Sequence, residues 1–591
     1  MDKVKLTINN QEVEVEKGKT VLEAAQKLGI KIPTLCYLKG LSDIGACRMC
    51  VAEYEGMGLK TTCNLEAQDG MKVQTESEMV VESRRQTLEL LASGHIFECW
   101  VCPREETCHF YDMLQYYDVE NTYRDEFEIL PEKRTLNVSE SITLDSGKCV
   151  QCSACAVVCE KIQTPGTLDF INRGVDTIIA PTTGCETLDD IACISCGQCS
   201  KVCPTGAVIE TDHIKRVEQA IKDPNKYVVV QVAPAIRAAI GEPFGYPIGT
   251  PVREIEGKLY RALDDLGFDL VTDTNYAADL TIMEEGTEFI SRLQNGGKLP
   301  LFTSCSPGWV RYIEQYRPEY LEHLSSCKSP HMMQGTLVKN IYGPDVLKKD
   351  PSEVFMVSIM PCTAKKYEIS RPEMETDGVR DVDAVLTTRE LARMIKKHNI
   401  DFRHLEDFDP DHDLSTYTGA ATIFGATGGV MEAAVRTVYE ILEGKPLEDI
   451  DLEEVRGIDE DIKEATLKIA GIDVNVAIVH GGQGLKKMFE ILDEGKKQYH
   501  FIEFMACPGG CVNGGGQPIV REQFMYGQDV ATLRAKALYQ SDKEDKKYRR
   551  SHESPAIKHT YDKYLEKPGS HIAHKYLHTH YFDRSSNLKN K

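Results

Sequence analysis

Positive charge is scarce in this 591-residue chain: 69 Lys and Arg stand against 92 Asp and Glu, a formal net charge of −23. Such a surface repels phosphate, which argues against nucleic acid and anionic membranes as partners. Long apolar runs are missing as well. The most apolar stretch, YVVVQVAPAI at 227–236, is too short to span a bilayer and is followed by Arg237. The first residues, MDKVKLTINNQEVEVEKGKT, alternate polar and apolar side chains like a strand and lack a signal-peptide core. The expectation is a cytoplasmic protein without membrane insertion, long enough for several domains and at least one large core.

Cysteine, by contrast, is plentiful. There are 21, an odd number bunched in C-x-x-C units, which reads as metal or cluster ligation rather than disulfides. Cys36, Cys47, Cys50 and Cys63 follow a strand pair and the helix-like TVLEAAQKLG. Their spacing resembles a plant-type 2Fe–2S ferredoxin, with a first gap of ten residues instead of four; a structural zinc site is the alternative. GHIFECWVCPREETCHF supplies His95, Cys99, Cys102 and Cys108, a set that suits zinc or a 4Fe–4S cluster.

KCVQCSACAVVCE (148–160) and ACISCGQCSKVCP (192–204) both read C-x2-C-x2-C-x3-C, the run of bacterial two-cluster ferredoxins. They are the one clear internal repeat, although Glu160 stands where the run normally has the proline that Pro204 keeps. In that fold the fourth cysteine of each run serves the other cluster. Cys149, Cys152, Cys155 and Cys203 are therefore expected to hold one 4Fe–4S cluster, and Cys193, Cys196, Cys199 and Cys159 the other. These sites together make an electron wire, and a wire implies a redox reaction at its end.

Beyond residue 212 strand-like runs (KYVVVQVAP, EVFMVSIMP, NVAIVH) alternate with helix-like ones (REIEGKLYRALDDLG, TRELARMIKKHN), the pattern of an α/β domain with largely parallel sheets. LEDFDPDHDLSTYTGAATIFGATGGV predicts a long loop and a glycine-rich turn; GATGG lacks the full dinucleotide-binding fingerprint. Single cysteines return in FTSCSPGWV (302–310), IMPCTAKKYE (359–368) and FMACPGGCVNGGGQP (504–518).

These three segments resemble the signature loops of the iron-only (diiron) hydrogenases, and the cluster motifs before them match the large clostridial type over roughly residues 1 to 580. The resemblance implies an α/β multidomain protein. It would comprise a β-grasp 2Fe–2S ferredoxin-like domain (1–78), a small 4Fe–4S domain with one histidine and three cysteine ligands (79–125) and a two-cluster ferredoxin-like domain (126–212). A large two-lobed hydrogenase domain (213–550) and a C-terminal tail (551–591) would follow. The implied cofactors are one 2Fe–2S cluster, three accessory 4Fe–4S clusters and a 4Fe–4S cube linked through a cysteine to a diiron unit with CO, cyanide and a dithiolate bridge.

By that resemblance Cys511 is the shared ligand, Cys507 and Cys362 hold the cube, Lys365 bonds a cyanide, and Met360 and Met505 pack around the diiron unit. The common first loop reads TSCCPGW, its first cysteine delivering protons and its second ligating the cube. Here Cys305 is followed by Ser306, so Cys305 stands for both roles and Ser306 occupies the ligand position. Glu285, Glu288, Arg292 and Ser325 align with the family's proton relay. Taken alone, Glu288 and Arg292 read as a surface pair four residues apart on a helix.

Cys185 and Cys327 remain as structural thiols. The tail SHIAHKYLHTHY, with His571, His574, His578 and His580, is expected to be solvated or to touch another subunit. The implied activity is reversible H2 oxidation and proton reduction, coupled to ferredoxin or to NAD(P)H-oxidising flavin/Fe–S subunits, after insertion of the diiron unit by maturation machinery. The rivals are an electron-transfer subunit, which would lack the three loops, and a sensory or cluster-assembly homologue without turnover.

Overall fold

The computed structural model describes residues 2–119, 139–182, 185–447, 449–458, 460–544 and 546–586; the expected boundary at 125/126 lies outside them. The chain begins with an antiparallel hairpin, Lys3–Ile8 and Gln11–Glu16, that turns on Asn9 and Asn10, both at positive φ. Asparagine tolerates that left-handed backbone, which matches the twist of a two-residue hairpin. Leu6, Ile8, Val13 and Val15 alternate inward onto the helix Val21–Lys27. That helix starts in a capping box: Glu23 N–H donates to Thr20 Oγ1 at 3.2 Å, and Thr20 N–H to Glu23 Oε2 at 2.9 Å. Lys72–Gln74 joins parallel to the first strand, and Val51–Tyr54 with Gly58–Thr61 completes a five-stranded sheet.

The two cysteine runs are near copies of each other. In each, the residue after the second cysteine has positive φ, 61° at Ser153 and 71° at Gly197, and opens a short helix, Ala154–Lys161 or Gln198–Val202. Two antiparallel strand pairs frame them: Ile142–Leu144 with Val208–Glu210, and Leu168–Ile171 with Ile178–Pro181.

The remainder is built on two four-stranded sheets. One runs Leu270–Asp273, Tyr227–Val232, Val354–Met360, Ala384–Thr387, all parallel. Its inner strands are apolar except for Gln231 and Ser358, which hydrogen-bond each other, because helices cover both faces. The other runs Leu301–Phe302, Phe501–Met505, Ile472–His480, Ile462–Ile469, parallel except for the last hairpin. The helix Thr274–Asn295 contributes buried side chains to the cores beside both sheets.

Two sequence expectations change. The stretch 405–430 is not simply loop and turn: it folds into Gly419–Thr422, a 3-10 turn at Ile423–Gly425 and the start of the helix Gly429–Glu443. The C-terminal segment is only partly solvated: His571, His574 and His580 are exposed, but the apolar side chains between them are not. Helices Pro555–Thr560 and His571–Leu577 pack into the larger core, and Cys327 pairs with His578 across an antiparallel bridge. Among the described residues no helix is long and apolar enough to cross a membrane.

Candidate active site

Three loops leave the C-terminal ends of parallel strands, where open α/β sheets place their sites. Cys305 follows Leu301–Phe302, Cys362 follows Val354–Met360 and Cys507 follows Phe501–Met505. Met360 and Met505 end their strands and are buried. Burial raises the thiols of Cys362, Cys507 and Cys511, and the nearby Cys507 raises the other two further, Cys511 to about 12. Three thiols, Cys507 buried and Cys362 and Cys511 half-buried, close enough to repel one another's charged forms fit an iron–sulfur cube.

Glycine lets this loop close around its neighbours. A Cβ on Gly510, at φ +89°, would stand 2.6 Å from Thr427 N. A Cβ on Gly515 would stand 2.2 Å from the carbonyl of Cys196, so the last loop lies directly against the second cysteine run. Thr363 Oγ1 also donates to Ser195 O at 2.7 Å, and Gln198 Nε2 to Asn513 O at 3.0 Å.

Cys305 and Ser306 face different surroundings. Ser306 precedes the helix Pro307–Tyr316, and its Oγ accepts from Ala506 N–H at 3.3 Å, beside Cys507. The Cys305 thiol is raised by burial and then by Glu285, which marks it as that carboxyl's neighbour. Lys365 Nζ donates to Cys305 O at 3.1 Å and to Glu368 Oε2 at 2.8 Å. Burial opposes ionisation of Glu368, but Lys365 and His331 hold its carboxyl well below the usual range. His331 Nε2 lies 2.7 Å from the same oxygen and its Nδ1 3.1 Å from Ser358 Oγ. Glu368 and His331 thus fix Lys365. Sequence reasoning missed both, although Glu368 sits three residues beyond Lys365 within the quoted loop.

From Cys305 a polar line runs outward. Burial, then the charge of Glu288, pushes Glu285 up to about 8, with the nearby Ser325 and Ser304 acting against them. Ser325 Oγ donates to Glu288 Oε2 at 2.9 Å. Arg292 Nη2 donates to Glu288 Oε1 at 2.6 Å and to Leu324 O at 2.9 Å. The side chains of Glu288 and Arg292 are 17% and 15% exposed, so the line reaches solvent. The sequence-predicted relay residues are therefore together.

The accessory sets assemble as well. One cavity is lined by Cys149, Cys152, Cys155 and Cys203, a second by Cys159, Cys193, Cys196 and Cys199, and a third by His95, Cys99, Cys102 and Cys108. In the N-terminal set, the Cys36 thiol hydrogen-bonds to Cys47 and that of Cys63 to Cys50. Cys47 is near enough to raise Cys152, as Cys203 raises Cys108, Cys199 raises Cys155 and Cys507 raises Cys196. Two arms thus converge on the set of Cys149, Cys152, Cys155 and Cys203, which leads through the set of Cys159, Cys193, Cys196 and Cys199 to the last loop.

Family models match along the chain in the same order. A 2Fe-2S iron-sulfur cluster binding domain covers 1–78 and a 4Fe-4S binding domain covers 187–209. The C-terminal domain of the iron only hydrogenase large chain covers 226–515, and the iron hydrogenase small subunit covers 528–584. Iron hydrogenase 1 of Clostridium pasteurianum is 44% identical over 98% of this chain and 99% of its own length. The NADP-reducing hydrogenase subunit HndD of Solidesulfovibrio fructosivorans is 43% identical over 99% of this chain and 100% of its own. A variant of apo FeFe-hydrogenase HydA1 from Chlamydomonas reinhardtii superposes with a TM-score of 0.56 at 39% identity, covering 63% of this chain and 99% of that one. With identity of this level sustained end to end, and the three loops gathered at one site, the chain belongs to the iron-only hydrogenases.

Proposed function

We propose that this chain is the H2-activating subunit of a hydrogenase in which protons travel by Arg292, Glu288, Ser325, Glu285 and Cys305, and electrons by the cysteine sets. The observation that carries the reading is the meeting of the two lines at the three loops. On one side Cys305 neighbours Glu285; on the other Gly515 touches Cys196.

Cys362, Cys507 and Cys511 would hold the cube, Cys511 as the ligand shared with the diiron unit, and the Ser306 hydroxyl stands at the fourth position. When bound, that six-iron group supplies the Lewis-acidic iron for making or splitting H2. Lys365, braced by Glu368, presents a cation to an anionic cofactor, and Met360 and Met505 wall it from water. Cys305 gives or takes the proton at its Sγ, and Glu285 restores it. The accessory sets would carry one 2Fe–2S and three 4Fe–4S clusters. Their modules would be a β-grasp unit (1–78), a unit with one histidine and three cysteine ligands (79–125) and a two-cluster ferredoxin unit (126–212). A two-lobed catalytic domain (213–550), closed by the 551–591 segment, would complete the chain.

Ferredoxin, itself an iron–sulfur carrier, would be the donor to this wire. The NADP-reducing relative favours a second reading, in which NAD(P)H-oxidising flavin/Fe–S subunits take that place. Glu288→Gln tests the proton line: a carboxamide cannot relay a proton, so turnover should fall by about 10²–10⁴-fold with the cluster spectra unchanged. Turnover like that of the unaltered protein would remove Glu288 from the route.

A further inference from the structure

We infer that Glu288, Cys327 and His578 form a site for a thiophilic divalent cation of the zinc class, apart from the iron–sulfur sets, and that its occupancy closes the proton line at the outer carboxylate. One ligand atom from each residue lies within 4.8 Å of the other two. The three come from separate parts of the chain: the helix Thr274–Asn295, the segment after Leu324 and the C-terminal segment after His571–Leu577.

Backbone pairing, rather than side-chain chance, sets Cys327 against His578. The bridge between them is flanked by Lys328 N–H to Leu577 O at 2.8 Å and Thr579 N–H to Ser326 O at 2.7 Å. A carboxylate, a thiol and an imidazole make a donor set that zinc accepts and that magnesium or calcium, which take oxygen, do not. Tetrahedral zinc holds its donors about 3.5 Å apart, so the group needs to close by only about 1 Å through side-chain rotation.

The imidazole is also prepared. His578 Nε2 lies 3.1 Å from Glu284 Oε2, and Glu284 is anchored by Tyr561 Oη at 2.6 Å and Gly569 N–H at 2.9 Å. With Nε2–H given to Glu284, Nδ1 is left as the ligand atom, the carboxylate–histidine–metal arrangement of zinc sites. Ser326 Oγ, 2.8 Å from Nδ1, would turn aside. On binding, the Cys327 thiol releases its proton to solvent, and one thiolate with one carboxylate balances the cation's charge. The exposed His574 ring, 4.0 Å from that of His578, stands at the mouth of the site. The metal would take Glu288 Oε2, the oxygen that now accepts from Ser325, while Arg292 keeps Oε1.

The gating half rests on the relay reading above; the site itself does not. The test titrates Zn²⁺ into full-length, cluster-loaded protein and into its Cys327→Ser and His578→Ala variants. Zinc uptake, iron content, the zinc K-edge absorption spectrum and H2 evolution are followed together, each rate being taken relative to the same protein without zinc. Expected is one zinc with a sulfur and a nitrogen ligand, iron content unchanged and H2 evolution suppressed. Both variants should need about tenfold or more zinc for equal suppression. No sulfur-ligated zinc, or inhibition that both variants leave unchanged, overturns the site. Sulfur-ligated zinc with full turnover overturns the gating and Glu288's place on the proton line, and leaves the site standing.

Discussion

Cys305 and Ser306 are neighbours in sequence but not in chemistry. Cys305 faces Glu285, and Ser306 faces the Cys507 loop. Cys305→Ala should therefore leave the cube's iron in place and suppress turnover, whereas Ser306→Cys should tighten cube retention. Loss of cube iron in Cys305→Ala, read by cluster spectroscopy beside H2 evolution, would make Cys305 the ligand instead. Glu285 carries a pH dependence of its own. Burial raises its carboxyl to about 8, so it keeps its proton through neutral pH and loses it above. H2 evolution needs that proton and should fall as pH rises through about 8. The sign for stability is the same, because the folded state binds the extra proton between the ordinary carboxylate range and about 8, and this favours folding less as pH rises across that window. A carboxylic C=O infrared band that titrates near 8 and vanishes in Glu285→Gln would bear this out; a band already absent at pH 6 would refute it. From the residues alone, Glu288 and Arg292 read only as a helical ion pair. Ser325 lies 37 residues beyond Glu288, too far for any local spacing to join them.

The strands and helices that position the loops were legible because their signals are local. YVVVQV is apolar but for Gln231, as a buried central parallel strand should nearly be, and Thr20 with Glu23 spells a capping box. Residues 419–425 were not legible, since Gly419 and Gly425 make room for Asp542 and Leu538 from a helix more than a hundred residues later. The last loop shows glycine used for contact. In Gly515→Ala the new methyl would overlap the Cys196 carbonyl, and the strain, about 1–3 kcal/mol, should push the loop off the second cysteine run. H2 evolution from an external reductant should then fall more than H2/D2 exchange, which needs no electrons from outside. Equal losses in both assays would mean that the change damages the site rather than the electron path.

At the scale of the molecule, the cysteine spacings announce the order of the modules, but what joins them could not be read. Arg311 Nη2 reaches Asp189 at 2.9 Å, Arg389 Nη2 reaches Glu210 at 2.6 Å, and Lys201 Nζ reaches Asn513 O at 3.1 Å. These bonds tie the second run and the residues flanking it to the catalytic domain across more than a hundred residues of sequence, and the charged members, taken singly, read as ordinary surface charges. The C-terminal segment is a similar case: His578 meets Glu284 from 294 residues away. The arrangement has one purpose on this account, which is to bring electrons and protons together at a six-iron centre. The most direct measurement is H2 evolution from a reduced viologen by protein matured to about 20 iron atoms per chain, the load that the ligand sets imply. Sustained H2 production, lost in Glu288→Gln at equal iron content, is the result expected. No H2 from fully iron-loaded protein would contradict the account.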